Sequence, residues 1–344
     1  MPPDFTFRLV AWQRDHGRHD LPWQGGGDPY PVWLSEIMLQ QTQVETVIPY
    51  FRRFLARFPD LRALAAADED AVLALWSGLG YYSRARNLHA AARRIVAGHG
   101  GHFPDDVEAI RALPGIGRST AAAIAAFAFG QRRAILDGNV KRVLARVFAV
   151  DGWPGEKAVE KRLWHLAESL LPADDIRAYT QGLMDLGATV CTRAKPHCGV
   201  CPFEDDCQAN RQGRQRELPG PRPRKALPEK STGMLVLLRA GEVLLEKRPP
   251  SGIWGGLWSL PECAEADDPL AAARHLGLEA DAAEALPAFS HSFTHFRLFI
   301  RPWALRVRNL PAVTEPGRLW LPLDDLEGAA LPTPVRRILE SAQA

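Results

Sequence analysis

The stretch from Leu113 to Asn139 limits what this chain can fold into more than any other: LPGIGRST, the alanine-rich AAAIAAFAFG, then AILDGNV. Pro114, Gly115 and Gly117 cannot sit in a helix interior without cost, so they make a tight hairpin. Ser119 and Thr120 then open a new helix whose Ala, Ile and Phe side chains are interior material. The first-turn N–H groups of such a helix have no intrahelical partner, and without a Cβ at Gly115 or Gly117 an anion can come close. LPGIG is thus either a plain helix–helix turn or a phosphate seat. Asp137 follows twenty residues after Gly117, in a Gly-containing turn that closes the unit.

Most of the chain around this hairpin has helical periodicity. In PVWLSEIMLQQTQVETVIPYF, residues Trp33, Leu34, Ile37, Met38, Val44, Val47 and Ile48 recur at helical spacing, which predicts one helix ended by Pro49. Glu36 and Gln40, at i and i+4, share its other face with Gln43. Further helices are expected near 68–75, 87–96, 140–148 and 156–170, and in YTQGLMDLGATV. Residues 214–230, RQRELPGPRPRKALPEK, are Pro-rich and basic, as linkers are. If residues 218–228 were extended polyproline they would span about 34 Å. Beyond them MLVLLRA, EVLLEKR, FRLFIRPWALRV and RLWLPL read as strands, with short helices at PLAAARHL and TPVRRILESAQ. The expected organisation is a helical domain over 1–213, a linker over 214–230 and an α+β domain over 231–344.

Charge follows the same division. Residues 1–230 carry 31 Lys and Arg against 26 Asp and Glu, whereas residues 231–344 carry 11 against 14. A basic first part suits a polyanion. The chain has no run of eighteen apolar residues and no signal-peptide core at its start, so a soluble, cytoplasmic protein of the bacterial cytosol or nucleoid, without a membrane partner, is expected.

Four of the five cysteines crowd into seventeen residues, with Cys191, Cys198, Cys201 and Cys207 spaced C-x6-C-x2-C-x5-C. Four thiolates in so short a loop converge around a metal centre, either zinc or an iron–sulfur cluster. Zinc sites usually pair two C-x2-C knuckles, and only the middle pair here has that spacing. Arg193 and Lys195 in the loop would face phosphates, and Cys263 stands alone as a small core residue.

Taken together, the hairpin, the following aspartate and the cysteine loop resemble the endonuclease III superfamily of base-excision DNA glycosylases. Within it, SEIMLQQTQV, GLGYYSRARNLH, ILDGNVKRVLAR and RPPSGIWGGLW are similar to the MutY-type adenine glycosylases, over residues from about 20 to 295. This implies an all-α helix-hairpin-helix domain with a [4Fe–4S] loop and a Nudix-like α+β domain. The implied activity is excision of adenine opposite 8-oxoguanine, and more weakly opposite guanine, by a monomer clamped on double-stranded DNA.

The resemblance also implies roles. Glu36 matches the acid that protonates adenine N7, and a pKa lifted by ~2 units for that task costs about 2.7 kcal/mol. Trp23, Trp33 and Ile37 are candidates for the dry wall around it. Asp137 matches the aspartate facing the sugar C1′, as electrostatic partner or transient nucleophile, with Asn139 orienting it or a water. Bifunctional relatives carry a lysine where this chain has Ser119, and neither Arg118 nor Thr120 can form a Schiff base, so strand cleavage is not expected. Gln41 and Tyr81 match duplex-probing residues; of Tyr81 and Tyr82, one should probe and the other pack. Trp23 and Gln181 are candidates for the base pocket, and Arg84, Arg86, Arg118, Lys141 and Arg142 for phosphate contacts. In the last domain, Gly256 to Glu262 fits the start of a Nudix metal box, but LAAARHL lacks the acidic residues that would complete it. Recognition of the oxidised guanine then falls to Phe293, Thr294 and His295, with His291 in a similar preceding triplet. The rivals are a bifunctional glycosylase/lyase, a nucleotide pyrophosphatase and a non-catalytic DNA-binding module.

Overall fold

The computed structural model describes residues 4–223, 226–308, 316–326 and 329–343. Two compact units emerge, and they do not follow chain order. One comprises residues 1–66 and 87–224, the other residues 67–86 and 225–344. Arg224 and Lys225 of the basic segment lie outside the described residues.

The helical elements are α1 (Phe5–His16), α2 (Pro29–Met38), α3 (Val44–Arg57), α4 (Leu61–Ala66), α5 (Glu69–Trp76), α6 (Ser83–Gly98) and α7 (Val107–Arg111). They continue with α8 (Arg118–Phe129), α9 (Gly138–Val147), α10 (Lys157–Ser169), α11 (Ile176–Asp185) and α12 (Gln208–Arg211). The hairpin helix α8 is the hub of the first unit: Ala121 to Ala126 are all buried, and it packs against α2, α7 and α11. Small side chains allow that many neighbours to approach. Between α7 and α8 the chain turns at Gly115, whose φ of +77° suits glycine and whose absent Cβ would lie 2.8 Å from Cβ of Asn87.

The single helix expected over 32–48 is instead two. After α2 the chain turns through 39–43, with Gln41 left-handed at φ 58°, and α3 begins at Val44. Gln43 is therefore the N-cap of α3 and does not share a helical face with Glu36. Pro49 lies inside α3 and does not end it. Its missing N–H removes one bond near the helix start, and burial of Val47, Phe51 and Phe54 outweighs that loss. The basic segment also begins differently from an extended linker: the Leu218 carbonyl accepts from Arg146 Nε at 2.9 Å, and the Gly220 N–H donates to the Gly152 carbonyl at 3.0 Å.

The second unit is built on a mixed sheet of β1 (Glu229–Arg239), β2 (Glu242–Lys247), β3 (Trp258–Ser259), β4 (Glu262–Cys263), β5 (Ala280–Ala285), β6 (Phe289–Ser292), β7 (Arg297–Val307) and β8 (Arg318–Pro322). The main order is β3-β2-β1-β7-β5, with β1 and β7 parallel from Glu229↔Arg297 to Leu238↔Arg306. The continuous run MLVL of β1 is buried without alternation, as a strand covered on both faces must be. One cover is α13 (Pro269–His275), and α14 (Thr333–Gln343) closes the described chain. β5 has the sequence ADAAEA and no strand propensity, yet it pairs with β7 at the sheet edge, where the ladder supplies what side chains do not.

Gly115→Ala should lower stability by about 1–2 kcal/mol or more, because the left-handed backbone and the Asn87 contact both oppose a methyl group. A lowered urea midpoint with unchanged m-value checks this.

Candidate active site

Glu36 lies on the last turn and a half of α2, where the buried Leu34, Ile37 and Met38 fix the rotation of the helix and turn residue 36 away from the core. It opens onto a cavity of about 430 Å³ in the first unit. Apolar walls come from Leu21, Trp23, Val32, Leu39, Val44 and Phe127, while Gln13, Gln181 and Arg177 add polar groups and Gly25 to Gly27 form a bare rim. Trp23 stands in this wall, edge-on to Phe51. Trp33 and Ile37, expected beside Glu36, are core residues away from the lining; Trp33 packs against Tyr30 and Phe103.

Glu36 and Asp137 interact directly as charges. Burial pushes the Glu36 carboxyl up to about 8, and the Asp137 carboxylate adds to the rise. Among the described residues Glu36 has no hydrogen-bond donor. Asp137 is also raised by burial, but its surroundings oppose that. As N-cap of α9 it accepts from the Val140 N–H at 2.7 Å, the Asn139 N–H adds a second bond, and Arg142 and Lys141 supply positive charge. Two carboxyl groups thus share one site with opposite surroundings, one suited to hold a proton and one to carry charge.

Asn139 is held from behind. Its Oδ1 accepts from Arg142 Nη2 at 2.8 Å, and the same guanidinium donates to the carbonyls of Gly187 (2.5 Å) and Cys191 (2.7 Å). A Cβ at Gly187 would come within 2.5 Å of Cβ of Asn139, so only glycine allows this approach. Ser119 Oγ accepts from the Leu136 N–H at 2.9 Å, tying the start of α8 to the segment that delivers Asp137. Gly117 is the N-cap of α8 with no side-chain cap, which leaves the first-turn N–H groups free, and both Gly115 and Gly117 are exposed.

Sequence reasoning missed the polar anchor of the cavity. Asp185 is fully buried; Arg18 reaches it through its backbone N–H (2.9 Å) and Nε (2.7 Å), and Gln181 Nε2 donates to it at 2.8 Å. An aspartate in an apolar helical face four residues after Gln181 was the available signal. The arginines expected at phosphates are engaged within the protein. Arg84 is buried, and burial lowers it to about 10; it donates to the Leu79 and Gly80 carbonyls. Arg86 bonds the Gly255 carbonyl, Arg118 pairs with Glu168, and Lys141 pairs with Glu160 at 2.6 Å. Arg193 and Lys195 are exposed.

The four cysteine thiols are free and line one small cavity of about 20 Å³. Burial and their neighbours' charges raise Cys198, Cys201 and Cys207, with Cys201 pushed up to about 12. The buried Arg146 pins the loop through Cys191 Sγ (3.3 Å) and the carbonyls of Thr192 and Arg193. Among the described residues no group of three or more His, Cys, Asp or Glu side chains is arranged to hold a metal ion. In a tetrahedral zinc site, by comparison, four sulfurs stand about 2.3 Å from one ion.

Gln41 in the first unit and Tyr81 in the second are both left-handed and exposed, with Tyr81 at φ 49° and 48% exposed. Tyr82 is buried. Phe293 stacks on Phe296 while Thr294 and His295 are exposed. His291 packs against Trp254 and Phe293, and burial lowers its pKa. Glu262, the residue that fitted the start of a metal box, pairs with Arg248 at 3.0 Å.

A hairpin-borne helix thus leads to an N-cap aspartate that interacts with a buried glutamate at the edge of a cavity. The family model for HhH-GPD superfamily base excision DNA repair proteins matches residues 34–169, and a NUDIX domain model matches 233–341. An adenine DNA glycosylase of Buchnera aphidicola from Acyrthosiphon pisum is 37% identical over 98% of this chain and 97% of its own. The human adenine DNA glycosylase is 34% identical over 98% of this chain and 74% of its own. A thermostable thymine-DNA glycosylase structure superposes with TM-score 0.54 at 29% identity, over 60% of this chain and 95% of that one. The chain belongs to the adenine DNA glycosylase family. It is an enzyme that acts on DNA and hydrolyses N-glycosyl bonds in base-excision repair. Among the described residues no helix is long and apolar enough to cross a membrane.

Between the ordinary carboxylate range and about pH 8, folded protein holds a proton on Glu36 that the unfolded chain has released. Stability relative to Glu36→Gln should therefore fall as pH rises from 5 to 8, by about 1.4 kcal/mol per pH unit at most. Paired urea titrations across that range measure it; parallel curves for the two proteins would count against the raised pKa.

Proposed function

We propose that this glycosylase removes adenine lying opposite 8-oxoguanine, and more slowly opposite guanine, and leaves the strand intact. The observation that carries the reading is Glu36, its carboxyl pushed up to about 8 by burial and by the nearby Asp137, opening onto a cavity of about 430 Å³. A base in a duplex is out of reach, so the adenine is extruded into that cavity, between Trp23 and the apolar wall. The Gln181 amide spends its N–H on Asp185 and keeps its carbonyl oxygen for the exocyclic amine.

Glu36 gives its proton to N7 as the C1′–N9 bond breaks, so the bonding electrons leave with a neutral base. Asp137 faces the positive charge developing at C1′ as its anion, a form that two N–H donors and two cations favour against the burial that raises its pKa. Water then adds to C1′ and gives up its proton to the site, which leaves an abasic sugar. Asn139, fixed by Arg142, orients Asp137 or that water. Ser119 offers no amine at the start of α8, and the Lys141 amine is paired with Glu160, so no covalent imine forms.

Gly115, Gly117 and the free N–H groups at the start of α8 seat a phosphate. Gln41 and Tyr81 probe the duplex, supported by their exposure and protruding backbone. Phe293, Thr294 and His295 read the oxidised guanine; exposure of Thr294 and His295 favours this triplet over the one ending in the packed His291. The domain limits 1–213, 214–230 and 231–344, a monomer, and a cytosolic place of action belong to the same reading. Cys191, Cys198, Cys201 and Cys207 would hold a [4Fe–4S] cluster, a reading supported by the four thiols lining one cavity and by a spacing without paired C-x2-C knuckles. The cluster supplies shape to the loop, and Arg146 fastens that loop to α9.

Glu36→Gln should abolish adenine release in single-turnover assays while duplex binding is retained within a few fold; release at the wild-type rate would sink the mechanism. In the wild type the rate should fall along a basic limb near pH 8. Anaerobically purified protein should be yellow-brown, and Cys201→Ser should lose that absorbance; a colourless, zinc-loaded wild type is the opposing result.

A further inference from the structure

Tyr81 holds a left-handed backbone at φ 49° with 48% of its surface exposed. A bulky residue in that conformation is strained, so its surroundings must impose it. Some of the restraint is local: Trp76 Nε1 donates to the Gly80 carbonyl at 3.2 Å, and the buried Arg84 donates to the Gly80 and Leu79 carbonyls. The rest comes from about 250 residues further along the same unit. The Tyr82 hydroxyl accepts from the Gly78 N–H at 3.3 Å and donates to the Leu331 carbonyl at 3.1 Å. Ser77 Oγ donates to that same carbonyl at 3.1 Å. Leu331 is itself immobilised, 1% exposed, beside Ala330, whose carbonyl takes the Trp258 N–H at the start of β3.

We propose that Tyr82 is a positioning residue through which the C-terminal part of the second unit holds the Tyr81 loop in its protruding form. One hydroxyl bridges the two ends of the matter, a loop N–H and a carbonyl of the segment before α14. Reading of the lesion by the C-terminal domain and probing of the duplex by Tyr81 are thereby joined in one rigid clasp. The inference rests on the probing role given to Tyr81 above.

The test is a double-mutant cycle on single-turnover adenine release from duplex with A opposite 8-oxoguanine, using full-length wild type, Tyr81→Ala, Tyr82→Phe and the double variant. Tyr82→Phe keeps the ring and removes only the hydroxyl; the rate should drop about three- to tenfold, the worth of one such hydrogen bond. In the Tyr81→Ala background the same change should cost nothing, because its effect passes through Tyr81. Ser77→Ala, which leaves the Tyr82 ring untouched, should shift the rate in the same direction and be silent in the same background. Tyr82→Phe at the wild-type rate, or an equal drop in both backgrounds, overturns the proposal: a merely structural loss would be additive. Should Tyr81→Ala itself match wild type, the probing role fails first, a result separate from failure of the clasp.

Discussion

Everything in the catalytic unit turns on two carboxyl groups brought together in a poorly solvated site and given unlike surroundings. Glu36 receives no donor and feels the negative charge of Asp137; Asp137 receives two N–H groups, the start of α9 and two nearby cations. Bare proximity would leave it open which of the two keeps the proton. The helix start favours the anion at Asp137 against the burial that raises both groups, because only one of the pair occupies a place where backbone dipoles converge. The architecture follows from that need: α8 carries Ser119 against Leu136, the following turn delivers Asp137, and α2 brings Glu36 from the other side.

Behind this pair the support is continuous. Arg142 joins Asn139 to the carbonyls of Gly187 and Cys191, and Arg146 one turn on holds Cys191, Thr192 and Arg193. The cysteine loop and the catalytic turn are thus two ends of one network threaded through α9. On the far wall, Asp185 and Arg18 fix Gln181 in the same manner. Rigid backing of this kind holds a reacting geometry to within fractions of an ångström.

Much of this was legible in the residues, and what was not has physical reasons. The hairpin, α8 and the Asp137 turn could be read because Gly and Pro restrict the backbone whatever surrounds them. The break between α2 and α3 could not, since no Gly or Pro marks it; the chain turns through a left-handed Gln41, while Pro49 stays within the next helix. Glu36 was recognisable by resemblance alone, for a lone helical glutamate usually faces water. Arginines 84, 86, 118 and 142 were expected to face phosphates and instead serve the protein's own carbonyls and carboxylates, a use that composition cannot distinguish. Asp185 and β5 were invisible for the same cause: their roles depend on partners far away in sequence.

Asp137 has two parts to play, the anion proposed for the reacting centre and the residue that starts α9. Most replacements would therefore injure folding and chemistry together, and the damaged product would be cleared from the cell. Asparagine, close in shape to the aspartate, can keep the helix start. A chain so altered would remain intact, settle on its lesion and stay there, converting a lost repair activity into an obstacle that shelters the mispair from every other route of correction.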